Sequence, residues 1–120
     1  MIHEMTILGK VPSKSNSYMI VNRAGHGSLA KTKALDQYEK RFYLQCPCRG
    51  LDIKGYFALK ARVFYENNRP DLDNALKIIL DCLQSCKVIQ NDRYCTEIHA
   101  FKFVDKQNPR VEIEIMEVKI

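Results

Sequence analysis

Leu72, Leu76, Ile79, Leu80, Leu83 and Cys86 recur at i, i+4, i+7, i+8, i+11 and i+14, the spacing of one buried stripe on an α-helix. A helix over residues 72–86 with that stripe must lay it on an apolar surface. Residues 56–65 offer one. Phe57, Leu59, Ala61, Val63 and Tyr65 alternate with Tyr56, Ala58, Lys60, Arg62 and Phe64, the period of two of a strand with one apolar face. Lys60 and Arg62 share its other face, toward solvent, a partner or a ligand.

The remaining elements fit around this pair. A first strand is expected over residues 2–9, followed by a loop at Val11-Pro12-Ser13-Lys14-Ser15-Asn16-Ser17, rich in turn formers. Residues 21–28 read as a flexible connection whose Ser28 caps a helix over 29–45, with Leu35, Tyr38, Phe42 and Gln45 on one face. After a turn at residues 87–93, strands near 94–104 and 110–118 read as a hairpin around Asp105-Lys106-Gln107-Asn108-Pro109. The order β-α-β-α-β-β predicts an α/β (α+β) layer of about four strands carrying two helices. At 120 residues the chain reads as a single domain, small enough for a homodimer to help both stability and site building.

No run of eighteen apolar residues is present, and Met1-Ile2-His3-Glu4-Met5 lacks the layout of a signal peptide. The expectation is a cytoplasmic protein without a membrane segment. Cys46, Cys48, Cys82, Cys86 and Cys95 then read as reduced thiols. Zinc is disfavoured, because neither close pair has the usual Cys-x-x-Cys spacing. The net charge of +5 divides into +7 over residues 1–69 (twelve Lys/Arg, five Asp/Glu) and −2 over residues 70–120 (seven against nine). The basic part suits either phosphate binding or a solvated surface.

Chemistry concentrates at Arg69-Pro70-Asp71-Leu72-Asp73-Asn74-Ala75-Leu76-Lys77, with Asp92 fifteen residues later. Asp71 as an N-cap and Asp73 in the first turn account for two acids at a helix start. Three further features point to a site. Asp73, Lys77 and Asp81 line one edge of the helix, the preceding Glu66-Asn67-Asn68-Arg69 is wholly polar, and Asp92 adds a third carboxylate. Hard divalent cations want oxygen ligands of this kind. An acidic pocket on a basic chain suggests a metal-dependent enzyme with a polyanionic substrate. Asp92 lies beyond the far end of the helix, about 22 Å from its start at 1.5 Å per residue, so it joins the site either within one subunit or from a partner.

Asp71-Leu72-Asp73-Asn74-x-x-Lys77, Asp81-x-Leu83 and Val88-Ile89-x-Asn91-Asp92 closely resemble the RusA-type Holliday junction resolvases. Pro12-Ser13-x-x-Asn16-x-Tyr18 is similar to that family's amino-terminal loop with different spacing, and the resemblance covers nearly the whole chain. It implies a Mg²⁺ centre, with Mn²⁺ as a substitute, at Asp71, Asp73 and Asp92, and a functional lysine at Lys77. It implies a homodimer that nicks branched DNA symmetrically. Lys60, Arg62, Arg69 and Arg93 are then the candidate DNA contacts. Two positions depart from the family: Asn91 stands where it usually has an acid, and Ser85-Cys86-Lys87 where it often has glycine. Other readings of the same residues are DNA binding without catalysis, a nuclease for flaps or single strands, and a zinc-stabilised interaction module.

Overall fold

The striped helix is present, and the strands before and after it run parallel. The computed structural model describes residues 2–13 and 16–119; Lys14 and Ser15, within the expected amino-terminal loop, lie outside the described residues. In chain order the elements are β1 (Ile2–Leu8), β2 (Tyr18–Arg23), β3 (His26–Lys31), α1 (Lys33–Gln45), β4 (Phe57–Tyr65), α2 (Leu72–Ser85), β5 (Cys95–Val104) and β6 (Arg110–Glu117). A 3₁₀ turn at Asp92–Tyr94 precedes β5. No helix among the described residues is long and apolar enough to cross a membrane.

The main sheet has the order β1-β6-β4-β5, with β4 and β5 parallel and the other pairs antiparallel. The expected hairpin of the last two strands is therefore absent, because β4 lies between them. The cause is α2: a crossover helix returns the chain to the end where β4 began, so β5 must run parallel to β4. The Asp105–Pro109 connection then passes over the carboxyl end of β4, where the Asp105 N–H donates to the Tyr65 carbonyl at 2.7 Å.

Phe57, Leu59, Ala61, Val63 and Tyr65 are buried with Tyr38 and Phe42 of α1 and with Ala75, Ile78, Ile79, Cys82 and Leu83 of α2. The buried face of α2 is wider than the stripe, with Leu72, Leu76 and Leu80 half-buried along its flank. On α1, Gln45 acts as a clamp: its side chain accepts from the Leu8 N–H at 2.7 Å and donates to the Leu8 carbonyl at 2.9 Å. All five cysteines are free, and Cys46, Cys82 and Cys86 are buried.

Two amino-terminal expectations need correction. The helix begins at Lys33, not 29, and its cap is Thr32, whose hydroxyl accepts from the Leu35 N–H at 3.2 Å. Ser28 instead faces Val21 in a second, two-stranded sheet made by β2 and β3. Ala24 (φ 52°) and Gly25 (φ 81°) form the two-residue turn, matching a type I′ geometry. Ala-Gly lacks the usual Asn-Gly signal, and Met19-Ile20-Val21 does not alternate, so sequence alone shows no hairpin there.

α2 ends without glycine. Lys87 takes φ 59°, its N–H donates to the Gln84 carbonyl, and the Val88 N–H donates to the Leu83 carbonyl. This is a Schellman closure, so the unusual Ser85-Cys86-Lys87 keeps the turn at the cost of a strained lysine.

Candidate active site

Tyr65 closes β4, residues 66–70 carry the chain round a polar corner, and Asp71 begins α2 with extended backbone (φ −85°, ψ 142°). Asp71 occupies the N-cap position, yet its side chain makes no capping bond. Its carboxylate is exposed and has no ion-pair partner among the described residues. Asp73 is also exposed, and among the described residues its carboxylate accepts only from the Asn74 N–H, at 2.9 Å. Both negative groups lie at the end of α2 where the helix dipole favours them.

Beneath them is Tyr65. Its hydroxyl donates to the Asp71 carbonyl at 3.0 Å. Burial, and then the charges of Asp71 and Asp73, push this hydroxyl up to about 12. It therefore stays a donor at neutral pH and pins the entry of the chain into α2.

A cleft of about 370 Å³ adjoins this corner, lined by Lys10, Val11, Ser13, Asn16, Tyr65, Glu66, Asn67, Arg69 and Pro70. Its two walls are linked. The Asn74 side chain donates to the Pro12 carbonyl at 3.2 Å, and Lys10 pairs with Glu66 at 2.5 Å. Pro12, Ser13 and Asn16, a weak signal in sequence, thus face the strand–helix corner. Lys10 and Tyr65 were not legible as site residues; Tyr65 read only as one more member of an apolar face. Lys102 joins the same end of the sheet, donating to the Asn68 carbonyl at 2.7 Å.

Lys77 is exposed and has no ion pair among the described residues, so the helix-surface pair with Asp73 or Asp81 does not form. Asp92 is elsewhere. Its N–H donates to the Gln84 side chain at 3.0 Å, which ties it to the last turn of α2. α2 has 14 residues and is about 21 Å long, and Asp71 and Asp73 are at its other end. Among the described residues no three His, Cys, Asp or Glu side chains are grouped to hold a metal ion. One subunit therefore does not bring the three aspartates together. Asn91 caps the 3₁₀ turn, accepting from the Arg93 N–H at 3.0 Å.

The four candidate DNA cations are dispersed. Arg69 lines the cleft. Lys60 and Arg62 are on the sheet face away from the helices, sharing Glu114 at 3.8 and 3.4 Å. Arg93 is beside Asp92 and donates to the Tyr94 hydroxyl at 2.8 Å.

A family model described as Endodeoxyribonuclease RusA matches residues 13–116, which include Asp71, Asp73, Lys77 and Asp92. The chain is 31% identical over 93 residues to the crossover junction endodeoxyribonuclease rusA of Lactococcus phage r1t, covering 75% of this chain and 66% of that protein. It is also 31% identical over 112 residues to the crossover junction endodeoxyribonuclease RusA of Aquifex aeolicus (strain VF5), covering 90% of this chain and 86% of the relative.

Proposed function

Because the chain belongs to the endodeoxyribonuclease RusA family, we propose that it is a divalent-metal-dependent nuclease that resolves four-way (Holliday) DNA junctions by paired nicks. Recombination and repair, in the cytoplasm where the DNA is, are the processes that supply such a substrate. One observation carries the reading. Asp71 and Asp73 keep carboxylates free of any cation among the described residues at a helix start, beside a cleft lined by Lys10 and Arg69.

Donors that are all oxygen suit Mg²⁺ or Mn²⁺, and Mg²⁺ takes one or two carboxylates while filling its other positions with water. Asp71 and Asp73 meet that demand, and Asp92 completes the set from elsewhere. A cation held there would supply a water ligand of lowered pKa and would screen the phosphate charge. Lys77, one turn into α2 and without an ion pair among the described residues, stabilises the charge that builds on the phosphate in the transition state. Lys10 and Arg69 position the backbone through phosphate contacts, which carry no sequence information. Asn91 acts through its side-chain oxygen, which caps the 3₁₀ turn, and is not a ligand in this reading.

Asp92 reaches the site from a second subunit. β5 is an edge strand with Ile98, Phe101, Phe103 and Val104 exposed, an edge that invites pairing with another chain. Antiparallel pairing of two β5 edges about a two-fold axis sets the partner's Cys95 beside Val104. Val104 is opposite Tyr65 in the ladder, and Tyr65 holds Asp71. The partner's Asp92 and the partner's Arg93 then arrive at the end where α2 begins. Two equivalent composite sites follow from the symmetry, one for each strand to be cut. Lys60 and Arg62 contact DNA only if it also follows the open face of the sheet.

The test is cleavage of a labelled four-way junction, beside linear duplex and flap controls, with Mg²⁺ and with EDTA. Paired nicks on the junction alone, lost with EDTA and in Asp73→Asn protein, are expected. Junction binding without nicks leaves a DNA-binding protein, and cleavage of flaps alone replaces the substrate.

A further inference from the structure

β2 and β3 pair with one another and with no strand of the main sheet. Ile20 and Leu29 are opposite one another on one face of this hairpin, 78% and 74% exposed. A cross-strand pair of large aliphatics normally stabilises a sheet by burial against something. Here it faces water, on an arm of six-residue strands about 20 Å long.

The arm is not remote from the cleft. At its base the Thr32 N–H donates to the Ser17 carbonyl at 2.9 Å, and the Ser17 hydroxyl donates to the Ser13 carbonyl at 2.6 Å. Ser13 and Asn16 line the cleft, and Asn74, next to Asp73, holds the Pro12 carbonyl. The arm therefore grows from the wall of the cleft opposite Tyr65 and the Glu66–Pro70 corner that leads into Asp71.

Charge selects the occupant. From Met5 to Leu35 the chain has no Asp or Glu, and five Lys/Arg: Lys10, Lys14, Arg23, Lys31 and Lys33. Of these, Arg23 and Lys31 are on the arm, Lys31 pairing with Glu39 at 3.0 Å, and Lys33 follows at its base. With no acid of its own, the arm repels a second copy and attracts a polyanion. A two-stranded ribbon fits the major groove. Its apolar pair meets base faces most cheaply where they are already unstacked, since opening a stacked duplex costs a few kcal/mol per step.

We propose that the β2–β3 hairpin is a DNA-engaging arm, which sets the Ile20–Leu29 pair against unstacked bases at a branch point while neighbouring cations hold the flanking phosphates. The inference rests on the nuclease reading and adds to it the device that distinguishes branched from linear DNA.

The experiment titrates full-length wild type and Ile20→Thr/Leu29→Thr protein onto a fluorescent four-way junction and a linear duplex of the same sequence, in EDTA, with light scattering of each protein. Threonine keeps strand propensity, and neither side chain belongs to the core, so the variant folds. Junction affinity is expected to fall at least about tenfold, equivalent to ~1.4 kcal/mol, with duplex affinity and molecular mass unchanged. A companion Lys33→Gln variant should lower the salt slope on both DNAs by about one. Unchanged junction affinity, or an equal loss on duplex, overturns the proposal. A loss that accompanies a change of mass also overturns it, and assigns the arm to a second copy instead. Failure of the nuclease reading shows separately in wild type, which would then bind the junction in EDTA yet leave it uncut when Mg²⁺ is supplied.

Discussion

If each site takes Asp71 and Asp73 from one subunit and Asp92 from the other, two inactive proteins should restore one another. The geometry behind this is the 14-residue α2, about 21 Å long, with Asp73 in its first turn and Asp92 held by Gln84 at its last. Asp73→Asn and Asp92→Asn proteins each lose at least about a hundredfold in cleavage rate, since losing a ligand costs more than losing the group that orients one. In a mixed dimer both substitutions fall in the same composite site, and the other site is wild type throughout. Random exchange makes about half the dimers mixed, so about a quarter of wild-type sites return. The assay is a supercoiled plasmid with an extruded cruciform. Wild type should linearise it by paired nicks, whereas the mixture should yield nicked circles from its single competent site. The reasoning is refuted if mixed dimers, shown by co-purification of differently tagged chains, cut no faster than either parent.

Lys77→Ala should lower the single-turnover cleavage rate by ~10²–10³ and leave thermal unfolding unchanged, because Lys77 is exposed and has no ion pair among the described residues; a parallel drop in melting temperature would contradict its assignment. Leu83→Ala, at a fully buried position where α2 meets β4, should cost about 2–5 kcal/mol in urea unfolding. Alkaline pH should weaken the fold. Burial raises the Tyr65 hydroxyl from 10.0 and, with Cys46 beside it, the Cys86 thiol from 9.0, both to about 12. The unfolded chain therefore releases these protons first. Their contribution is whole below pH 9 and is lost as pH rises toward 12. Urea midpoints measured at pH 8, 9.5 and 11 should fall in that order, and a flat profile would count against the burial of both groups.

The elements that depend on local pattern were legible from the chain. α2 follows from apolar residues repeating at helical spacing, β4 from strict alternation over Phe57–Tyr65, and both carry their packing partner with them. The acid pair at the head of α2 was legible too, because Asp71-x-Asp73 at a polar strand–helix corner is a local fact. Local patterns fail where pairing is long-range. β5 and β6 each read correctly as strands, but their separation by β4 depends on the crossover that α2 imposes. The β2–β3 hairpin was missed because its turn uses Ala-Gly and its apolar residues face solvent, leaving no periodic signature of burial.

For the site, the sequence by itself determined which carboxylates are available and that a cationic chain carries them. Only the tertiary structure decided that Asp71 leaves its cap unmade, that Tyr65 sits beneath both acids, and that Ser13 and Asn16 face the corner before Asp71 across a cleft. It also decided that Asp92 is at the opposite end of a rigid helix. A residue's type and spacing state what it can bind. The direction in which α2 crosses the sheet, a property of the whole core, sets which groups can meet around one ion.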